Sequence, residues 1–154
     1  MITQWNASKG HGLHLRTGND EYKYTIPLAS LRGLNKRHIE NAGMKSSDPI
    51  IDMGRFDYLF GVIKGESPWP YGGKKSLYKI AALYGFYIIT RHAFWDGNKR
   101  TGMSATQAIL ELNGRTLVCS DKELEEVAVS IGEHQMGFDE FYLWIKRHSK
   151  KLQQ

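Results

Sequence analysis

One run of ten residues, Ile80-Ala81-Ala82-Leu83-Tyr84-Gly85-Phe86-Tyr87-Ile88-Ile89, constrains this chain more than any other. Ser76 can cap a helix ahead of it, and from Ser76 to Arg91 the pattern is apolar almost all round rather than along one stripe. A helix apolar on every face has to be covered on every face. Crossing a bilayer takes roughly 20 such residues, so the run predicts the central helix of a globular domain.

The flanking segments supply its neighbours. Leu28, Leu31, Leu34 and His38-Ile39 recur every three to four residues until Ala42-Gly43 offers a stop. After a loop around Ser46–Pro49, Phe56, Leu59, Phe60 and Ile63 mark a second helix. Beyond the central run, Ala105, Ile109 and Leu112 mark a helix that ends at Asn113-Gly114. Ser120-Asp121-Lys122-Glu123 reads as a capping box for a helix striped by Leu124, Val127, Ala128 and Ile131, and Phe141, Trp144 and Ile145 lie on the last. Only Tyr22, Tyr24 and Ile26 alternate as a short strand would. The expectation is an all-α fold, a compact helical bundle over residues 28–154 preceded by an irregular polar arm, 1–27.

At 154 residues one domain suffices, and a chain of this size buries roughly 68–70% of its unfolded surface. The single cysteine, Cys119, excludes a disulfide framework and a Cys-based zinc site. The first residues lack a signal peptide's basic start and apolar run, so a cytoplasmic location is expected, with no membrane partner. Asn6-Ala7-Ser8 is then only a formal glycosylation sequon. With 21 Lys+Arg against 16 Asp+Glu the charge is +5. That is a mild bias, and the basic run Lys146-Arg147-His148-Ser149-Lys150-Lys151 reads as a solvated helix end favoured by the dipole, so nucleic-acid binding is not expected.

Reactive side chains concentrate in His92-Ala93-Phe94-Trp95-Asp96-Gly97-Asn98-Lys99-Arg100, which joins the central helix to the next. A helix N-terminus offers unpaired N–H groups and positive dipole charge, which bind anions. Gly97 and Asn98 tolerate the backbone angles of an anion-binding nest. Lys99 and Arg100 add cations in the first turn, where they are disfavoured unless an anion accompanies them. Histidine is the side-chain type suited to proton transfer near neutral pH, so His92 can serve as general base for a hydroxyl. Asp96 is a hard oxygen ligand placed to hold Mg²⁺ beside phosphates. Together these residues make a phosphoryl-transfer site. Taken singly, each has a structural use too: His92 can cap a helix, Asp96 and Asn98 can close a turn, and Phe94 should anchor the loop in the core. Upstream, Gly65–Lys75 holds Gly and Pro beside Trp69 and Tyr71 and predicts a shaped hairpin or flap. Its Gly72-Gly73-Lys74-Lys75-Ser76 is a poor P-loop, because Pro68 stands where glycine is required and Lys75 intrudes before the serine.

His92-x-Phe94-x-Asp96-Gly97-Asn98-Lys99-Arg100 resembles the signature of the Fic/Doc superfamily, and specifically of its Doc branch, the death-on-curing toxins of toxin–antitoxin pairs. Further likenesses are His38-Ile39 with Ala42-Gly43, Asp52-Met53-Gly54 with Phe56 and Leu59, Tyr71-Gly72-Gly73 with Ser76-Leu77 and Ala81-Ala82, and Leu112-Asn113-Gly114, so the similarity spans roughly residues 30–148. The resemblance implies a compact helical fold and an ATP·Mg²⁺ donor. It implies His92 as the base, Asp96 as the metal ligand, Gly97, Asn98, Lys99 and Arg100 on the phosphates, and the flap residues Tyr71, Gly72, Gly73, Lys74 and Lys75 docking the target. In Doc the target is a threonine of elongation factor Tu, and translation stops.

Fic relatives transfer AMP instead, and their pattern has glycine at the position of Lys99 and a second arginine eleven residues after the histidine, gripping the γ-phosphate. Here that position is Met103. Lys99 without the second arginine favours phosphoryl transfer, hence a Doc-type protein kinase, with AMP transfer as the alternative. The family's inhibitory helix carries Ser/Thr-x-x-x-Glu-Gly/Asn; the nearest match, Glu40-Asn41, has Lys36 at the Ser/Thr position, so a separate antitoxin is expected. Departures from the pattern are Ala93, Arg91 and Gly102, the last costing its helix about 1 kcal/mol relative to Ala.

Overall fold

The all-round apolar run forms the helix around which the others are arranged. In a computed structural model, which describes residues 13–14, 24–44, 53–71, 73 and 75–152, the elements in chain order are β1 (Leu13–His14), β2 (Tyr24–Thr25), α1 (Leu28–Asn41), α2 (Met53–Lys64), α3 (Leu77–Arg91), α4 (Asn98–Leu112), β3 (Arg115–Leu117), α5 (Asp121–Gly132), α6 (Phe138–His148) and β4 (Ser149–Lys151). Ser76 caps α3 as expected, its Oγ accepting the Lys79 N–H at 3.3 Å. Helix α3 packs against α2, α4, α5 and α6, and α1 lies across α4. Ten of its residues are buried, Ile80–Gly85 and Ile88 among them. Among the described residues no helix is long and apolar enough to cross a membrane.

The tightest packing lies between α3 and α4, where two glycines face each other. A Cβ on Gly102 would stand 2.7 Å from Ile89 Cγ1 and 2.9 Å from the Gly85 carbonyl oxygen; one on Gly85 would strike the Thr106 hydroxyl. Gly102 is thus a contact residue, and its weak helix propensity is offset by the close approach that it permits. Helix α4 also buries three hydroxyls, and each has a partner on another helix. Thr106 Oγ1 donates to the Ala81 carbonyl of α3 at 2.7 Å, while Thr101 and Ser104 pair with Asn35 and His38 of α1 at 3.1 and 2.8 Å. Buried polar groups on α4 therefore specify two of its partners, α3 and α1, by hydrogen bonds as well as by shape.

The structure departs from the sequence expectation in three places. The arm is not wholly irregular: β1 pairs antiparallel with β2, and the adjoining Ile26 is fully buried, its N–H and C=O both bonded to the Tyr84 hydroxyl at 3.2 and 3.1 Å. That burial pushes the Tyr84 phenol well above its ordinary pKa. The C-terminal basic run is not one helix end. Helix α6 stops at His148, and Ser149–Lys151 pair with Arg115–Leu117 as a two-stranded ribbon. Strands of three residues are too short to show alternation in sequence. Finally, the described residues of the 65–75 segment form turns rather than a hairpin. Pro68 and Pro70 cannot donate ladder hydrogen bonds, and the segment is pinned by aromatic contacts instead, Tyr71 stacking on Phe138 at 3.6 Å and Trp69 meeting Phe138 edge-on at 6.1 Å.

Because the Gly102 Cβ would meet backbone as well as side chain, Gly102→Ala should destabilise the protein by about 1–3 kcal/mol although alanine is the better helix former by about 1 kcal/mol. Urea unfolding measures the difference; unchanged or raised stability would refute the close approach.

Candidate active site

The connection between α3 and α4 is built from unusual backbone, held on both sides. His92 is the C-cap of α3 and sits in the left-handed region, φ 48° and ψ 58°. For a residue with a Cβ that costs about 1–2 kcal/mol. Neighbouring groups hold it there: Arg55 of α2 donates through Nη1 to the carbonyls of Arg91 and His92, at 2.5 and 2.9 Å. Arg55 is itself tied down, since the Tyr87 hydroxyl donates to its carbonyl at 2.6 Å. The turn leaves His92 exposed while Ala93 and Phe94 enter the core, the Phe94 ring 5.3 Å from Phe56.

Asn98 then closes the loop. Its Oδ1 accepts the Phe94 N–H at 2.9 Å and its Nδ2 donates to the Phe94 carbonyl at 2.8 Å. Gly97, with φ 72°, is the N-cap of α4, and a Cβ there would also come within 3.2 Å of Asn35 Nδ2 and 3.3 Å of Ile39 Cδ1. Glycine is thus required for conformation and for space. Asn35, buried in α1, donates to the Asp96 carbonyl at 2.8 Å as well as to Thr101. The first α4 bond runs from the Thr101 N–H to the Gly97 carbonyl, 2.9 Å, so the amides of Asn98, Lys99 and Arg100 have no partner within the helix. No acid stands in this first turn. The helix start therefore carries the amides, the dipole and two cations together.

These groups meet in one cleft of about 370 Å³, lined by His92, Asp96, Gly97, Asn98, Lys99 and Arg100, with Gly132 of α5 also on its wall. Gly132 matters because a Cβ there would come within 2.9 Å of Lys99 Cε, so the Lys99 stem lies across the end of α5. Asp96 Oδ1 accepts the Gly97 N–H at 2.7 Å. The described residues hold no cluster of three metal-ligating side chains. A single exposed carboxylate beside an anion site suits Mg²⁺, which takes one or two carboxylates and completes its shell with phosphate oxygens and water.

The family comparison agrees with this geometry. A model of the Fic/DOC family matches residues 31–110, from Leu31 in α1 to Leu110 in α4. The chain belongs to the Fic/DOC family. Members of the family are typically transferases that act on proteins and use nucleotide substrates. No curated protein matches the chain in a sequence comparison. In this Fic/DOC chain the matched stretch carries the cleft residues from His92 to Arg100, with their supports Asn35 and Arg55, while Gly132 of α5 lies outside it.

All six candidates from His92 to Arg100 come together, but not on equal terms. The Asn98 side chain is committed to the loop, so toward a ligand it offers its backbone amide. Of the flap residues, Gly72 and Lys74 lie outside the described residues. Tyr71 is packed on Phe138, and Lys75 Nζ donates to the Val62 carbonyl at the end of α2, 3.4 Å. Glu40, the nearest match to an inhibitory glutamate, pairs with Lys36 on the exposed face of α1 at 3.8 Å. Sequence reasoning missed Asn35 and Arg55. Asn35 had a signal, a polar residue inside the Leu31, Leu34, Ile39 stripe. Arg55 had none, because one arginine on a helix looks like any other until its partners are known. His38, half-buried against Ser104, has its pKa lowered by burial and then by Arg100.

Replacing Asn98 with Ala leaves the Phe94 amide and carbonyl without partners, so we expect a loss of about 1–3 kcal/mol in unfolding free energy together with weakened nucleotide binding. Asn98→Asp, which keeps the acceptor but not the donor, should fall between. Calorimetry of folding and of ATP binding reads both; an Asn98→Ala protein that binds ATP normally would show that the loop does not depend on this side chain.

Proposed function

We propose that the protein is a Doc-type toxin that transfers the γ-phosphoryl group of ATP to a hydroxyl of a target protein, by resemblance elongation factor Tu, and so blocks translation. The observation that carries the choice is the pair Lys99 and Met103. Lys99 stands in the first turn of α4 on the wall of the cleft. Met103, where an AMP-transferring relative would place its second phosphate-gripping arginine, is 1% exposed and packed in the core. An arginine's bidentate hold on the γ-phosphate is therefore missing, while the cation at Lys99 is added, which favours a pose with the γ-phosphate at the α4 N-terminus.

In that pose the amides of Asn98, Lys99 and Arg100 and the two cationic side chains receive the phosphate oxygens and stabilise the charge that spreads over them in the transition state. His92 accepts the proton of the target hydroxyl as the new O–P bond forms. The bond from phosphorus to the bridging oxygen breaks, and ADP leaves with its electron pair. Asp96 would hold Mg²⁺, whose chemistry is to neutralise the phosphates when bound. A separate antitoxin protein is part of the proposal.

The test uses ATP labelled on either the α- or the γ-phosphate, incubated with a translation extract and followed by mass spectrometry of the modified protein. Label should arrive from the γ position only, with an added mass of one phosphoryl group. Label from the α position would make the enzyme an AMP transferase. His92→Ala should lower transfer at least about 10²-fold, with ATP still bound.

A further inference from the structure

His92 borders a second, larger cleft. On the α2–α3 side, Arg55, Tyr58, Tyr87, Thr90, Arg91 and His92 line a concavity of about 670 Å³, and His92 is the residue that it shares with the cleft of the α4 N-terminus. An in-line phosphoryl transfer places the attacking and leaving oxygens on opposite sides of phosphorus. With the nucleotide in the Lys99 cleft, the hydroxyl comes from the side of phosphorus away from ADP, and the second cleft meets the first at His92, the base that receives its proton.

The lining has one sign of charge. No carboxylate is among its residues, and Asp57, the nearest acid along α2, is exposed and not part of it. Arg55 spends Nη1 on two carbonyls of the α3 terminus, and Arg91 is exposed with no ion pair among the described residues. The α3 C-terminus contributes roughly half a negative charge, which two guanidiniums outweigh. Tyr58 is 44% exposed and stacks on Tyr87 at 5.7 Å, so an aromatic shelf lies beside the cations. Tyrosine and arginine together are the side chains that most often anchor a bound protein segment.

We propose that this cleft receives the acceptor protein through a segment in which the hydroxyl-bearing residue is flanked by Asp or Glu. The inference rests on the transfer reading above and adds the class of substrate sequence. Arg91 and the free edge of Arg55 engage the flanking carboxylates, Tyr58 covers the segment's backbone, and the hydroxyl between them is delivered to His92. Nucleic acid shares the negative charge, but a Fic/DOC enzyme acts on proteins, so a protein segment is the occupant.

The experiment measures fluorescence anisotropy of two short labelled peptides, a central threonine flanked by glutamates and the same peptide flanked by lysines, with and without ATP·Mg²⁺. The acidic peptide should bind at least about tenfold more tightly, a difference of about 1.4 kcal/mol. Arg91→Glu should abolish or reverse that preference and Arg91→Gln should reduce it. Lys150→Glu, an equal charge change on the exposed strand β4, should leave it intact. Equal binding of the two peptides, an equal effect of Arg91→Glu and Lys150→Glu, or displacement of the peptide by a single-stranded oligonucleotide would overturn the proposal. Mass spectrometry of the bound acidic peptide separates the two claims: binding at Arg91 without modification of the threonine stands for the cleft and counts against the transfer reading.

Discussion

The contact on which the rest depends is the glycine-to-glycine approach of α3 and α4. Gly85 and Gly102 bring the two backbones so close that each Cβ, if present, would strike the other helix, and Thr106 closes the seam with a hydrogen bond to the Ala81 carbonyl. Two helices held at such a distance leave little freedom to the chain that joins them. The His92–Gly97 loop is short and its ends are fixed, so its backbone has to visit the left-handed region twice, at His92 and at Gly97. Of the two, His92 carries the strain, because glycine adopts this region without penalty. Seen this way, the strain is a consequence of the packing and is held by it.

Support comes from both flanks. Helix α2 reaches the end of α3 through Arg55, whose donors take up two carbonyls of the helix terminus, and helix α1 reaches the start of α4 through Asn35, which holds the Asp96 carbonyl and Thr101. Within the loop, Phe94 fills the core and Asn98 ties both of its backbone groups. The exposed members, His92, Asp96, Lys99 and Arg100, make no such ties with their side chains apart from the Asp96 bond to the next amide. Packed neighbours thus fix the backbone from which these charged side chains reach solvent, and a transfer site needs such fixed positions.

Much of this was legible beforehand. The all-round apolar run read as a central helix, the Leu124–Ile131 stripe packs against it while the Leu28–Ile39 helix lies across α4 instead, and Ser76, Gly43 and Gly114 marked ends that the structure shows. The density of reactive side chains from His92 to Arg100 pointed to the cleft that the structure shows them lining, because a cation pair in a helix's first turn conflicts with the dipole and calls for an anion. What escaped were features that depend on distant partners. The Lys75 ammonium bonds a carbonyl of α2, a contact that its place in the loop did not show. The basic C-terminal run looked uniform but divides between a helix and a strand whose partner, Arg115–Leu117, lies more than thirty residues earlier. Gly102 looked like a defect in a helix and is its closest contact.

The sequence by itself determined the helical class, the order of the elements and the cluster of charged residues around the turn from α3 to α4, since periodicity, caps and local charge are properties of neighbours along the chain. Only the tertiary structure decided that His92 stands between two clefts of different character and that Arg55 and Asn35 hold the loop. Those outcomes depend on which surfaces meet between elements far apart in the chain, across 61 residues for Asn35 and Asp96 and 37 for Arg55 and His92. No local pattern carries that information, because it is set by the packing of α3 against α4.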